Sequence, residues 1–396
     1  MSATVAISAV NHRRIRRARA WLESRVLAEE VLIIGASLDA ANELARRVAE
    51  EKGAAFGWHR LTLPQLAGAL AARVLGERKV APLSRLGAEA IVARVVHRLK
   101  AQGGLGRYQP VGDTPGFARA IAAVIAELRL ARLTSGAIGN VAPDLTRLTE
   151  AYEAALGEAR LTDWAGVLNL ATEVASGRAG AHRLIKLPAL LLDVPITSEA
   201  ELAFVDALVR GAPDSLATVP AADQPTLGRI PGVLHWKFEN LDGALRMEDH
   251  VGTEGTLERL QHHLFSDRTT VWQAPPDNEV EVFSAPGESR ECVEIARRVL
   301  ALARNGMPFD RIAVLLRSPE EYRAHLQEAF SRARIPAHFA RGAVRPDPAG
   351  RAFYSLLKCA AEGLSARRFA EYLSLAQVPD ASAGGEPPEA TARGDR

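Results

Sequence analysis

The chain has 396 residues but only two cysteines, Cys292 and Cys359, and no CxxC. Two thiols cannot by themselves hold a structural zinc or an iron–sulfur cluster. Both fall in apolar helical patterns, so they read as inert core thiols. No apolar run approaches the roughly 20 residues needed to span a bilayer, and no membrane partner is expected. The N-terminal MSATVAISAVNHRRIRRARAW places its basic cluster after a short apolar stretch, the reverse of a secretory signal, so a reduced, cytoplasmic setting is expected. An excess of one charge is also missing. The formal net charge is +2, so any nucleic-acid surface must be a local patch.

The signatures of several chemistries are missing too. No GxxxxGK[ST] occurs, so no glycine-rich loop with a Lys-Ser/Thr pair is available to cradle a triphosphate and its Mg²⁺. The histidines form no HExxH or other metal-ligand spacing. There is no GxSxG elbow and no cysteine with a matching histidine. The acidic pairs Glu248/Asp249 and Glu320/Glu321 read as loop or helix-start charges. They do not resemble a nuclease's metal-binding carboxylates. No metal is expected.

With 47% hydrophobic and 24% charged residues, the chain is globular and long enough for two or three domains. TVAISAV (4–10) reads as a strand, HRRIRRARAWLESRVL (12–27) as an amphipathic helix, and EVLIIGAS (30–37) as a buried strand. LDAANELARRVAEEKG then gives a helix stopped by Gly53. This alternation predicts a parallel sheet with helices on its faces. From Thr62 to about Gly177 the apolar spacing is helical throughout, with start signals at Thr62 or Pro64, Ser84, Pro115, Asp144 and Asp163. Strands return as PALLLDV (188–194) and SLATVP (215–220), around the helix SEAELAFVDALVRG. Residues 225–278 read as a connector rich in Pro, Gly and charge, with a helix at TLERLQHHLF. A second α/β unit follows over 279–342, with strands at EVEVFSAPG, DRIAVLLRS and IPAHFA. Helices are expected over 343–379 and a disordered tail over 380–396.

Three features could carry function. Asp193 ends the strand LLLD, where a nucleotide-driven enzyme holds Mg²⁺, but Val194 stands where the water-orienting Glu would follow. Ser37 sits at a helix start whose free N–H groups could receive a phosphate. The plainer reading is a simple cap, and Asp39 disfavours an anion there. Arg13, Arg14, Arg16, Arg17 and Arg19 could neutralise phosphodiesters. They could equally form a solvated helix face partly paired with Glu23, Glu29 and Glu30. Trp21 on that helix reads as core.

Taken in order, VLIIGASLDAANELARRV, WHRLTLPQLAGALA, AELRLARL, LTDWAGVL, LLLDVPITSEAELAFVDAL, LATVPAADQPTL, GTLERLQHHLFSD and the segment EVFSAPGESR…RIPAHFARG resemble the UvrD-like (superfamily 1) helicase fold. The chain is most similar to AddB-type subunits of bacterial helicase–nuclease complexes, the PD-(D/E)XK nuclease family proteins. The resemblance implies an α/β, P-loop-NTPase-like (RecA-like) architecture. A degenerate domain 1A would cover 1–61 and 178–224, a helical 1B-like insertion 62–177, the start of domain 2A 279–342, and the start of a 2B-like region 343–379. It makes Ser37 a DNA-phosphate contact and Asp193 the remnant of the Mg²⁺ aspartate. It places Asp223 and Gln224 at motif III and makes Arg317 a nucleotide-facing arginine. Walker A, the motif II Glu, motifs V and VI and the nuclease domain are missing. ATP and Mg²⁺, used by active members, are therefore not expected to be used, and no cofactor is expected. The implied function is a non-catalytic DNA-binding scaffold in double-strand-break repair. Its partners would be single-stranded or forked DNA and a UvrD-like, AddA-type helicase–nuclease subunit. The alternatives are a protein-interaction module docking such a partner, or a non-functional truncated fragment.

Overall fold

A computed structural model describes residues 2–26, 28–232, 236–242, 255–264, 277, 279–340 and 348–375. The chain divides into two compact units, Met1–Val280 and Glu281–Arg396.

The first unit is built on a six-stranded, all-parallel sheet. In chain order its elements are β1 (Ser2–Ser8), α1 (Asn11–Glu23), β2 (Val31–Gly35), α2 (Leu38–Lys52), β3 (Trp58–Thr62) and α3 (Leu63–Arg78). The chain then passes through β4 (Ala81–Pro82), α4 (Arg85–Ala101), α5 (Phe117–Leu130), α6 (Ser135–Gly139), α7 (Pro143–Ala159), β5 (Leu161–Thr162) and α8 (Trp164–Ala175). It returns to the sheet with β6 (Ala189–Leu192), α9 (Glu199–Gly211), β7 (Asp214–Pro220), α10 (Gln224–Arg229) and β8 (Trp236–Asn240), followed by α11 (Thr256–His263). The strand order is β3-β2-β6-β7-β1-β8.

Burial on both faces explains why the central strands read as continuous apolar runs: all five residues of β2 and all four of β6 are buried. Alternate residues serve opposite faces. Val31, Ile33, Leu190, Leu192 and Leu216 pack under α1 and α2 with Trp21, Leu22, Leu44 and Val48. Leu32, Ile34, Leu191, Ala217 and Val219 pack under α3, α8 and α9 with Leu66, Leu70, Leu168 and Phe204. Crossovers to lower sheet positions (β1 to β2, β2 to β3) put their helices on the first face. The crossovers in the other direction use the second face, as right-handed connections require.

The helical region differs from the expected insertion in extent. α3 and α8 roof the sheet, whereas α4, α5 and α7 form a core of their own around Val92, Val96, Ile125, Leu148 and Tyr152. The parallel pair β4–β5 clasps the chain where it enters and leaves this bundle, with Leu83 N–H donating to Thr162 O at 2.8 Å. Asp163 ties the bundle to α8. It caps Gly166 N–H at 3.0 Å and accepts Arg129 Nε at 2.7 Å, with Tyr152 Oη at 3.5 Å. Burial, followed by the nearby Asp163 charge, pushes the Tyr152 hydroxyl above its ordinary range.

A further difference lies in the expected connector, which supplies a strand. Trp236–Asn240 pairs in parallel with β1 and makes one outer edge of the sheet, opposite β3. Parts of the connector and of the 343–379 segment, and the 380–396 tail, fall outside the described residues.

The second unit holds α12 (Glu288–Arg304), α13 (Pro319–Arg332), α14 (Pro348–Ala361) and α15 (Ala366–Leu375). α12 and α13 share a core of Cys292, Ala296, Val299, Leu326, Ala329, Phe330 and Ile335. The second parallel sheet expected over 279–342 is not present among the described residues. EVEVFSAPG, DRIAVLLRS and IPAHFA contain no paired strand. Their apolar composition favours extended backbone, but a strand persists only where a neighbour takes its N–H and C=O groups. Both cysteines are buried, and burial raises the Cys292 thiol above its ordinary range.

Candidate site at the carboxyl edge of the sheet

In a parallel sheet every strand ends on the same edge. Ligands favour the crevice there, where neighbouring strands send their helices to opposite faces. The topology puts the place for such a crevice between β1, which leads into α1, and the ends of β6 and β7. The structure brings Arg14, Asp193, Ser8 and Thr218 together in it.

Only Ala9 and Val10 separate β1 from α1. A two-residue turn cannot wrap a phosphate, and its amides already have acceptors inside the protein. Val10 N–H donates to Ser8 Oγ at 2.9 Å, and Ala9 N–H donates to Asp242 Oδ2 at 2.8 Å. Ser8 Oγ also donates to Asp242 Oδ1 at 2.5 Å, and Arg13 Nη1 reaches the same oxygen at 2.9 Å. Asp242 thus stands where an external anion would sit, with its side chain 8% exposed. Burial pushes its carboxyl up, but the hydrogen bonds from Ser8, Ala9 and Arg13 outweigh that and hold it below the usual carboxylate range.

Beside it, Arg14 closes the end of β6. Its Nε lies 3.0 Å from Asp193 Oδ1 and its Nη2 lies 3.0 Å from Oδ2, a two-pronged pair. Arg14 Nη1 donates to Ser8 O at 2.7 Å. Thr218 Oγ1 donates to Asp193 Oδ1 at 2.7 Å and accepts Asp193 N–H at 3.0 Å. Asp193 adopts a left-handed backbone at φ 49°, a conformation Asp tolerates better than most residues. Its carboxylate is engaged on both oxygens by protein donors. The arrangement neutralises charge and ties α1 to β6 and β7.

The remaining candidates are distributed as follows. Arg14 is buried, which removes it from any solvent-facing basic patch. Arg13 pairs with Asp242 and Glu258, Arg17 with Glu239 at 2.9 Å, and Arg19 with Glu23 at 2.6 Å and with Glu51. Arg16 is exposed and has no carboxylate partner among the described residues. The expected partners Glu29 and Glu30 face Arg25 and His59 instead. Trp21 is buried in the core under α1, its Nε1–H donating to Asp214 at 2.9 Å. Ser37 caps α2, accepting Ala40 N–H at 3.1 Å, and is exposed at the carboxyl edge. Asp223 caps α10 through Thr226 N–H at 3.1 Å, and Gln224 Nε2 turns back to Ala221 O at 2.8 Å. Arg317 lies exposed in the second unit.

Sequence reasoning did not find Asp242, Ser8 or Thr218. The alternation in WKFEN was the one available signal that Asp242 follows a strand. Among the described residues no group of three or more His, Cys, Asp or Glu could hold a metal ion, and no helix is long and apolar enough to cross a membrane.

No protein-family model matches the chain, and no curated protein matches it. Fold and site together define an α/β protein with a six-stranded parallel sheet whose carboxyl-edge crevice is filled by its own ion pairs.

Proposed function

We propose that this chain is a RecA-like, helicase-like scaffold that works by binding rather than by nucleotide turnover, with single-stranded or forked DNA as its ligand. One observation carries the loss of turnover: the β1–α1 turn amides and both Asp193 oxygens are already bonded within the protein. Phosphoryl transfer depends on backbone donors, a metal and cations gathered round the phosphates, and its rate falls by orders of magnitude as these are removed. A triphosphate here would have to displace Asp242 and break the Arg14–Asp193 pair. The DNA assignment rests on the resemblance of the ordered motifs to UvrD-like and AddB-type proteins. It is supported by the exposed α2 start at Ser37 and the unpaired Arg16 on α1.

The test pairs two measurements on the full chain. ATP hydrolysis is expected to be absent with and without DNA. Anisotropy of labelled single-stranded and forked DNA is expected to show binding that weakens steeply with salt. Arg16→Gln should lower the salt slope by about one phosphate contact. DNA-stimulated ATP turnover, or no DNA binding at low salt, would overturn the proposal.

A protein-docking role is the second reading. It is favoured by the α14–α15 pair, where Phe353, Tyr354, Leu364 and Phe369 are exposed. Association with a UvrD-like partner, without DNA binding by this chain alone, would select it.

A further inference from the structure

A polar cavity of about 380 Å³ lies in the first unit beside the ends of α5 and α8, and shares no residue with the crevice at the carboxyl edge. Its lining carries three arginines, Arg129, Arg132 and Arg178, against two carboxylates, Glu153 and Glu173. Both carboxylates are already engaged. Glu153 pairs with Arg129, which also binds Asp163, and Glu173 accepts Arg78 Nη2 at 2.8 Å. Arg132 follows α5, Arg178 follows α8, and Asn169 is exposed on α8. No hydrogen bond or ion pair ties these three side chains to any described residue. Helix-end electrostatics account for part of this. A cation at a helix C-terminus faces the negative end of the dipole. Lys79 and Arg160 stand at the ends of α3 and α7 in the same left-handed backbone that Arg132 adopts, at φ 55°, after α5. That account covers each helix end singly. It leaves open why cations from two helix ends and an unbonded amide line one cavity, where like charges repel unless an anion lies between them.

We propose that this cavity binds a phosphate group, held by Arg132 and Arg178 with Asn169 as a neutral donor. Guanidinium forks are the side chains best matched to phosphate oxygens, and they hold their charge at every physiological pH. A phosphate presents oxygens in several directions, so it can meet donors arriving from two separate helix ends. A cavity of this size also has room for the group that carries the phosphate. The surroundings favour an anion. The chain leaving α8 holds Arg178, Arg183 and Lys186, and His182 among them is kept below its ordinary range by burial and then by Arg183 and Arg73. The phosphate of a small metabolite and that of a nucleic-acid backbone present the same chemistry. The site therefore stands or falls independently of the DNA-binding role proposed above.

The test uses two probes on the full chain at low salt: calorimetric titration with inorganic pyrophosphate, and anisotropy of a labelled oligothymidylate with and without pyrophosphate. Arg132→Gly combined with Arg178→Gln should weaken binding by about tenfold or more. Glycine suits the left-handed backbone at 132, and neither side chain has an internal bond to lose, so this variant keeps the fold, as far-UV circular dichroism would verify. Arg94→Gln combined with Arg119→Gln removes the same charge from exposed positions on α4 and α5 outside the cavity, and should leave binding unchanged. If the cavity variant loses oligothymidylate, and pyrophosphate competes with that probe, the phosphate belongs to a nucleic-acid backbone. If it loses pyrophosphate alone, the phosphate belongs to a small molecule. The proposal is overturned if neither probe binds the cavity variant more weakly than the parent, or if the Arg94/Arg119 variant loses as much as the cavity variant.

Discussion

At the scale of single residues, the crevice is governed by the cost of burying charge. The Arg14 side chain is 7% exposed and that of Asp193 is 21% exposed. Removing a charge from water is tolerable only while its counter-charge and hydrogen bonds are present, so losing one partner costs more than losing both. Arg14→Met alone should therefore destabilise the protein by about 3 kcal/mol, because Asp193 is left facing the apolar end of β6. Arg14→Met combined with Asp193→Asn, which removes the charge, tolerates the left-handed backbone and keeps an acceptor for Thr218, should recover most of that loss. Chemical denaturation of the two single variants and the double variant checks the non-additivity; simple addition would mean that the pair is solvated. Asp193 was legible as a strand-ending aspartate because LLLD follows a recognisable buried run. Its partner was not, because Arg14 lies 179 positions away and looked like its four basic neighbours. Helical spacing could not tell which of the five arginines faces inward.

At the scale of elements, most of the first unit could be read from apolar period and capping chemistry. Thr62, Ser84 and Asp163 cap α3, α4 and α8 through their side chains. α5 instead begins after Gly116, and α7 has Pro143 in its first turn with Ala142 at the cap. β8 was missed because Lys237 and Glu239 alternate along an edge strand, which gives it the look of a charged connector. Glycines show where backbone closeness, which composition does not reveal, sets the fold. At the end of β2, a Cβ on Gly35 would lie 2.5 Å from Ser37 O and 3.1 Å from the Ala41 Cβ. Gly68, inside α3, would meet nothing within 4 Å. Gly35→Ala should cost about 1–3 kcal/mol by forcing the β2–α2 turn apart. Gly68→Ala should stabilise by about 0.5–1 kcal/mol through helix propensity. Thermal unfolding of the two variants should move the midpoint in opposite directions; a shared direction would contradict the packing described at β2.

At the scale of the whole molecule, composition and motif order predicted a parallel sheet in each α/β unit. Among the described residues the six-stranded sheet and the short β4–β5 pair both lie in the first unit, and the second unit has none. Strand propensity is local and can be read in VFSA, IAVLL and AHF. Whether a strand has neighbours depends on how many strands the unit assembles, and no single segment states that. The two units should accordingly differ in autonomy. Residues 1–280 contain a sheet covered by helices on both faces and should unfold in one cooperative transition when expressed alone. Among the described residues of 281–396, α12 and α13 share an apolar core and α14 adds the buried Ala352 and Cys359, while Val282 and Leu315 are left in water. Expressed alone, that unit should bind a hydrophobic dye and melt broadly. A sharp melt without dye binding would mean that the helix core is sufficient. The unpaired segments would then be surface loops, with no incomplete sheet to explain.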